Sequence, residues 1–464
     1  MTQPNSPDPS ALHPADLPSV AAEIIAEQIA RDHAEPMRPG ESVDALRRAL
    51  PLPLDGGSLT WPDTLALLRQ VLAATPTTTS RRFFNQLFGG RDPVATIAEL
   101  ATVLSNSPMH TFKASGVQVL VERAVLDRMG ALAGLSGGDG SITPGGSLSN
   151  MMGLLLARNA AEVGARDRGL SGNRLCTYTS VASHYSVTKA AGVVGMGRDN
   201  VRRIPIDPAG GMRVDALVEQ IERDQAAGAC PVVINATAGT TVLGAFDPLP
   251  QLADVAARYG IWLHVDAAYG GSILFSSRHR HLLEGTERAD SLTWDAHKLL
   301  GVPLTCSALL TRKPGACTEA LDEPASYLFQ EQALPDPGRG SFQCGRHNDA
   351  LKLWLSWKHH GDAGMAARID RLFGLAEHAA ARVAASPGAH LVREPASFNV
   401  CFTVDGVDAA RLCRGLWEHG IAKVGHAEVD GAPVVRWVFV NPEVTTDDVD
   451  AVFDEMLKLA PTLS

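Results

Sequence analysis

Apolar and polar positions follow two rhythms along the chain, and the change falls near residue 75. Ahead of it, "LPSVAAEIIAEQIARDHAEP" repeats its apolar positions with the helical period and predicts an amphipathic helix. Beyond it, short β-rich runs alternate with Ala/Leu-rich helical stretches. The runs are "LCTYTS", "PVVINAT", "IWLHVD", "SLTW" and "CSALLTR". Such alternation predicts an α/β domain with a mostly parallel sheet. The stretch "HNDALKLWLSWKHHGDAGMAARIDRLFGLAEHAAARVAA" predicts a long helix, broken near Gly361, that leads out of this domain. The C-terminal remainder, from "HLVREPASFNVCFTV" to "VVRWVFVNPEVTTDDVDAVFDEM", mixes strands with helices and predicts a small α+β domain. The expected division is an arm and helical segment over 1–75, a large domain over 76–360 and a small C-terminal domain over 361–464.

Composition narrows the function. The 464 residues are 45% hydrophobic, enough for two or three domains and a large core. A net charge of -10 argues against nucleic acid or an anionic membrane as partner. No run of about 18 apolar residues occurs, so no membrane span is expected. The start, "MTQPNSPDPSALHPADLPS", lacks a basic segment and an apolar segment and does not read as a secretory signal. Its prolines predict a mobile arm. The 7 cysteines are scattered and free of CxxC spacing, which fits thiols in a reducing cytoplasm better than disulfides or a zinc site. "RHRH" and "KHHG" bring no further ligands with them, so no metal is expected. Trp354 and Trp357, at helical spacing, read as core or interface.

Four features fall where α/β folds place ligands, at strand C-termini and helix N-termini. In "TPGGSLSNMMGLLLAR", Gly145, Gly146 and Ser147 precede a helix, and the glycines let backbone N–H groups approach an anion. Alone, this is also a capped turn. In "SHYSVTKAA", His184 follows a strand, where a histidine is commonly structural. In "IWLHVDAAYGG", Asp266 ends an apolar strand and needs a cationic or donor partner, or else caps a helix. The small residues after it leave room for a flat ring. In "SLTWDAHKLL", Lys298 enters the fold, where an amine is costly unless paired or converted to a Schiff base.

Together these four make a pyridoxal 5'-phosphate site. The Gly-Ser loop takes the phosphate, Asp266 the pyridinium nitrogen, His184 one face of the ring and Ala268 the other, and Lys298 the aldehyde.

Seven blocks then carry a resemblance: "RRFFNQLFGG", "TPGGSLSNMMGLLLAR", "SHYSVTKAAG", "NATAGTTVLGAFDPLPQLADVA", "IWLHVDAAYGG", "RADSLTWDAHKLLGVPLTCSALL" and "FQCGRHNDALKLWLSWK". The chain resembles the glutamate and cysteine-sulfinate decarboxylase branch of the group II pyridoxal-dependent amino-acid decarboxylases, over residues 80 to 360. The resemblance implies a type I aminotransferase-like fold and a homodimer with active sites at the subunit interface. It implies α-decarboxylation of an L-amino acid such as glutamate, aspartate or cysteine sulfinate. It assigns Lys298 the cofactor's aldehyde, Asp266 the ring nitrogen, His184 stacking, and Gly146 and Ser147 the phosphate. It places Thr241 near the cofactor's 3'-oxygen side and His297 at the phosphate or a proton transfer. Gln86 is to meet the substrate side chain and Arg436 its carboxylate.

Three departures from the family pattern stand out. Asp295 replaces the usual Asn near the phosphate, and a carboxylate there repels phosphate unless protonated or paired. Lys113 replaces a commonly acidic residue. The segment Glu331 to Phe342, which matches a mobile catalytic loop, is short and carries no tyrosine to protonate the product carbon. Decarboxylation-dependent transamination or oxidative deamination on the same cofactor is therefore the alternative chemistry. A non-catalytic dimeric scaffold is the alternative class.

Overall fold

The computed structural model describes residues 14–463 apart from 35–36, 38–39, 55 and 330–334. Most of the proline-rich arm, and part of the tyrosine-free segment, therefore lie outside the described residues. Helices Leu17–Asp32, Val43–Ala49 and Trp61–Ala74 come first. Ser42 and Thr60 cap the second and third by accepting from Ala45 N and Asp63 N, satisfying donors the helix cannot satisfy itself. Arg91 Nη2 meets the buried Asp32 at 2.5 Å and ties the first helix to the body of the chain.

Twelve strands occur among the described residues: β1 (Phe83–Phe84), β2 (Asp139–Thr143), β3 (Leu175–Ser180), β4 (Val201–Ile204), β5 (Cys230–Thr237), β6 (Trp262–Asp266), β7 (Ser291–Asp295), β8 (Ser307–Thr311), β9 (Ala389–Leu391), β10 (Asn399–Val404), β11 (Lys423–Val429) and β12 (Ala432–Val438). Seven form one sheet in the order β2-β8-β7-β6-β5-β3-β4. From β7 to β4 every pairing is parallel, whereas β8 runs antiparallel to both β7 and β2. The mostly parallel α/β domain expected from the alternating pattern is the one observed. Strands β3, β7 and β8 are buried along their whole length, as strands covered on both faces must be. Helix Gly146–Ala161 lies against β5 to β8 and covers the face that carries the site.

Helix Asp349–Ala384 runs from this domain to a second, five-stranded sheet of order β1-β11-β12-β10-β9. It kinks at Gly361, whose φ of 63° and ψ of 178° suit glycine alone. The second sheet has an unexpected member. Phe83 and Phe84 pair in parallel with Lys423 and Val424. Phe84 is 1% exposed, and its ring packs edge-on against Trp437 and Phe439 at 5.6 Å each. Burying such a ring is worth about 3–5 kcal/mol against alanine. The peptide that carries Gln86 is thus anchored on the small sheet, while the strand-end residues stand on the large one.

Candidate active site

Strand period and register assemble the first part of the site. Side chains two apart share a face of a strand. So β6 presents His264 with Asp266, and β7 presents Ser291, Thr293 and Asp295. Register sets His264 beside Ser291 and Asp266 beside Thr293. It also sets Ser307 between Asp295 and Thr143. Above these ends lies helix Gly146–Ala161, whose Gly146, Asn150 and Gly153 share one helical face. Gly146 has no room for a side chain. A Cβ there would stand 2.7 Å from Asp295 Oδ2 and 3.1 Å from Ala268 Cβ. At Gly153 a Cβ would stand 2.5 Å from His264 Nδ1.

Asp266 is 5% exposed. Its Oδ2 accepts from Asn150 Nδ2 at 2.7 Å and its Oδ1 from Ala268 N at 3.2 Å. Burial pushes its carboxyl above the usual carboxylate range, while the Lys298 ammonium and the Asn150 amide pull it back. His184 is half-buried beside the exposed Tyr185, with ring centroids 4.1 Å apart. Burial lowers its pKa, against the pull of Asp266 and Asp295, and Lys298 lowers it further. One ammonium therefore acts on both Asp266 and His184, which share its field.

Lys298 itself is only partly buried, with 21% of its side chain exposed, on the short helical turn that follows β7. Its Nζ lies 3.2 Å from Asp295 Oδ2. Asp295, 2% exposed, also accepts from Ser307 Oγ at 2.5 Å. The carboxylate expected to repel a phosphate is therefore paired twice. His297 is held through Nδ1, which lies 3.1 Å from Cys306 N and 2.9 Å from Cys306 O. Its Nε2 faces Asp295 Oδ2 at 3.7 Å, and burial lowers its pKa. Ser147 is exposed at the start of the helix.

Gln86, Thr241 and Arg436 form a second group. Arg436 donates through Nη1 to Thr241 O at 3.0 Å and through Nη2 to Asn85 O, next to Gln86. Its Nε is buried without a partner among the described residues. Gln86 is exposed and accepts from Asn85 Nδ2 at 3.1 Å. Thr241 O also accepts from Asn399 Nδ2 at 3.0 Å, and Tyr269 OH donates to Asn399 Oδ1 at 2.8 Å. Tyr269 follows Ala268, so a polar chain connects this group to the strand end. Lys113 is exposed on a separate short helix.

Residue-type reasoning overlooked Asn150, His264 and Ser307. Their signals were spacing alone: Asn150 four residues after Gly146, His264 two before Asp266, and Ser307 in a strand whose register only the fold supplies.

The donor set suits a phosphorylated pyridine aldehyde. An amine, a buried carboxylate, a half-buried imidazole and a cradle closed to any Cβ stand around one set of strand ends.

Comparison with known proteins agrees. The family described as the pyridoxal-dependent decarboxylase conserved domain matches residues 44–405. Cysteine sulfinic acid decarboxylase of Homo sapiens is 44% identical over 365 residues, 77% of this chain and 74% of that protein. An acidic amino acid decarboxylase of Mus musculus is 36% identical over 463 residues, 94% of this chain and 84% of that one. Among solved structures, mouse CSAD superposes with a TM-score of 0.92 at 37% identity, covering 96% of this chain and 98% of that one. Oryza sativa TDC with PLP and tryptamine superposes with a TM-score of 0.89 at 26% identity, covering 99% and 100%.

Proposed function

The chain belongs to the pyridoxal-dependent decarboxylase family, and from that premise we propose that it removes the α-carboxylate of an acidic L-amino acid. It is a carboxy-lyase of the type I fold, and its cofactor is pyridoxal 5'-phosphate. The observation that carries the reading is one amine, Lys298, paired with the buried carboxylate of Asp295 and acting through its charge on the buried carboxylate of Asp266, beside the Gly146 cradle.

In this reading Lys298 holds the cofactor at its aldehyde, Gly146 and Ser147 hold its phosphate, and Asp266 holds its ring nitrogen. His184 and Ala268 flank the ring. When bound, the cofactor supplies an electron-accepting ring for the pair left by the departing carboxylate. Asp266 serves this by staying anionic. Arg436, whose Nε has no partner among the described residues, takes the substrate's carboxylate, and Gln86 meets the side chain. The proton for the product carbon comes from Lys298. His297 is the poorer donor, since one of its ring nitrogens is engaged by Cys306 and the other looks at Asp295. The substrates that favour this reading are the ones named for its relatives, cysteine sulfinate and acidic amino acids.

Carbon dioxide release from a panel of L-amino acids tests it. Cysteine sulfinate, aspartate or glutamate should lead, and faster turnover of aromatic or neutral substrates would overturn the substrate class. The tyrosine-free segment from Glu331 to Phe342 supports a second, minor route. With no phenol from that segment, some turnovers should end in aldehyde, detectable by mass spectrometry of the same reactions.

The chain acts as a homodimer. Helix Pro93–Ser105 leaves Ile97, Leu100, Val103 and Leu104 exposed, and Val117 and Leu120 are exposed after it. Apolar residues at helical spacing on a surface mark a face that a second copy covers. Sedimentation at the monomer mass would contradict this. Among the described residues no helix is long and apolar enough to cross a membrane. All seven cysteines are free thiols, which supports a reducing, cytoplasmic setting.

A further inference from the structure

Asp266 does not stand alone at the end of β6. Behind it runs an unbroken line of polar side chains through the apolar core. Trp262 Nε1 donates to Ser291 Oγ at 2.8 Å. Ser291 Oγ lies 2.8 Å from His264 Nδ1. His264 Nε2 lies 3.1 Å from Asn150 Oδ1. Asn150 Nδ2 donates to Asp266 Oδ2 at 2.7 Å and to Ser186 Oγ at 3.0 Å. The line joins β6, β7 and helix Gly146–Ala161. Ser291 and His264 are both 0% exposed, so water is no substitute partner.

We propose that Trp262, Ser291, His264 and Asn150 form a one-way hydrogen-bond relay that holds Asp266 as an anion for the ring nitrogen of the cofactor. The inference rests on the reading of Asp266 as that nitrogen's partner. Its direction follows from the donors available. An indole nitrogen donates and never accepts. Ser291 Oγ accepts that bond and turns its own proton to His264 Nδ1. His264 is neutral, since complete burial drives its pKa down to about 3, so it carries one N–H. With Nδ1 accepting, that N–H is on Nε2 and points at Asn150 Oδ1. The amide of Asn150 must then present its NH2 to Asp266. The His264 N–H also lies toward Thr293 Oγ1, 3.4 Å from Nε2, and along the line from Trp262 to Asn150 each donor meets an acceptor when Asp266 is ionised.

The reverse arrangement needs a protonated Asp266. Its hydroxyl would donate to Asn150 Oδ1, the amide to His264 Nε2, and Nδ1–H to Ser291 Oγ. Ser291 would then accept twice, and its own proton would face no acceptor among the described residues. A buried, unsatisfied donor of this kind is disfavoured. The relay therefore opposes the tendency of burial to neutralise Asp266. Asn150 and His264 are positioning residues that act through Asp266.

The test compares two ligands on the full chain freed of cofactor: pyridoxal 5'-phosphate and its 1-deaza analogue, in which a C–H replaces the ring nitrogen. The ratio of their dissociation constants reads the bond to Asp266 without reading turnover. The wild-type chain should prefer the natural cofactor by about tenfold or more, the worth of a charge-assisted hydrogen bond. Asn150→Ala and His264→Leu should each cut that ratio about fivefold. His264→Gln, which can accept from Ser291 and donate to Asn150, should restore most of it. Trp262→Phe should cut it about twofold, through lost cooperativity alone. Equal weakening of both ligands in Asn150→Ala and His264→Leu, with the ratio intact, would show a merely structural role and overturn the relay. A wild-type chain with no preference would overturn the Asp266 reading, and the relay with it.

Discussion

Asp266 and Asp295 close neighbouring parallel strands, β6 and β7, and are 5% and 2% exposed. Lys298 acts on both. They differ in what lies behind them. Asp266 ends a line that includes an indole, which only donates, and an imidazole and an amide whose donors and acceptors the line itself sets. Asp295 ends a line made of hydroxyls alone. Thr143 Oγ1 and Ser149 Oγ are 2.6 Å apart, Ser149 and Ser307 2.9 Å, and Ser307 donates to Asp295 Oδ1 at 2.5 Å. Hydroxyls rotate, and each both donates and accepts. If Asp295 is a carboxylate, all three donate toward it. The ring end of the site is therefore tied to Asp266 through an indole, an imidazole and an amide, and the phosphate end to Asp295 through hydroxyls that can turn. The carboxylate beside the phosphate cradle is accounted for by its partners, Ser307 Oγ at 2.5 Å and Lys298 Nζ at 3.2 Å.

The same substitution at the two carboxylates separates them most sharply. Asp266→Asn removes the anion from the ring nitrogen and should lower kcat/KM about 10- to 100-fold, as loss of a charge-assisted bond does. Asp295→Asn keeps a polar side chain of the same shape and can still accept from Ser307. It should change kcat/KM by less than about threefold and bind the cofactor equally or more tightly, since one negative charge leaves the phosphate's side. Equal losses in the two variants, measured as kcat/KM and cofactor affinity, would erase the distinction.

Much of this site was legible before the fold was known, for reasons that vary with the residue. Lys298, Asp266, His184 and Gly146 each sit at a strand end or helix start that hydrophobic period marks out, and the first three carry polar groups that a fold does not withdraw from water, even in part, without a partner. The strand–helix alternation of the large sheet was equally plain, because strands buried on both faces read as apolar runs. Phe83 and Phe84 were hidden for the opposite reason. A two-residue strand has no period, and its partner lies more than three hundred residues onward. Ser307 and Thr143 were hidden because a serine or threonine in a strand is ordinary until register sets it beside a carboxylate. His264 looked like part of an apolar run, and only its two nitrogens' partners distinguish it.

Acidity should expose the fixed line behind Asp266. His264 has its pKa lowered to about 3 in the folded chain, below the ordinary imidazole value. Between that value and about 6.5 the unfolded chain binds a proton here that the folded chain does not. This contribution to stability is complete above about 6.5 and is lost as pH falls toward 3, at up to about 1.4 kcal/mol per pH unit. His264→Gln carries no such group, so its melting temperature should fall less steeply than that of the wild type between pH 6.5 and 5. Parallel slopes in calorimetry would mean that His264 is protonated in the folded chain, and a charged imidazole could not sustain a directional line.

Two single-hydroxyl deletions make the finest cut. Ser291→Ala and Ser307→Ala remove the same atom from neighbouring strands, and each should cost about 1 kcal/mol of stability. Their effects on cofactor binding should part. Without Ser291, His264 Nδ1 loses its donor, the imidazole is free to move its proton to that nitrogen, and Asn150 can turn its carbonyl toward Asp266. The preference for pyridoxal 5'-phosphate over the 1-deaza analogue should then shrink about two- to threefold. Without Ser307, Asp295 keeps Lys298 at 3.2 Å, and nothing in that line reaches the ring nitrogen. The preference should be unchanged, and any loss should appear equally with both ligands. A Ser307→Ala variant that altered the ratio would couple the two carboxylates through Lys298, and the ring and phosphate ends would then have to be treated as a single ionising unit.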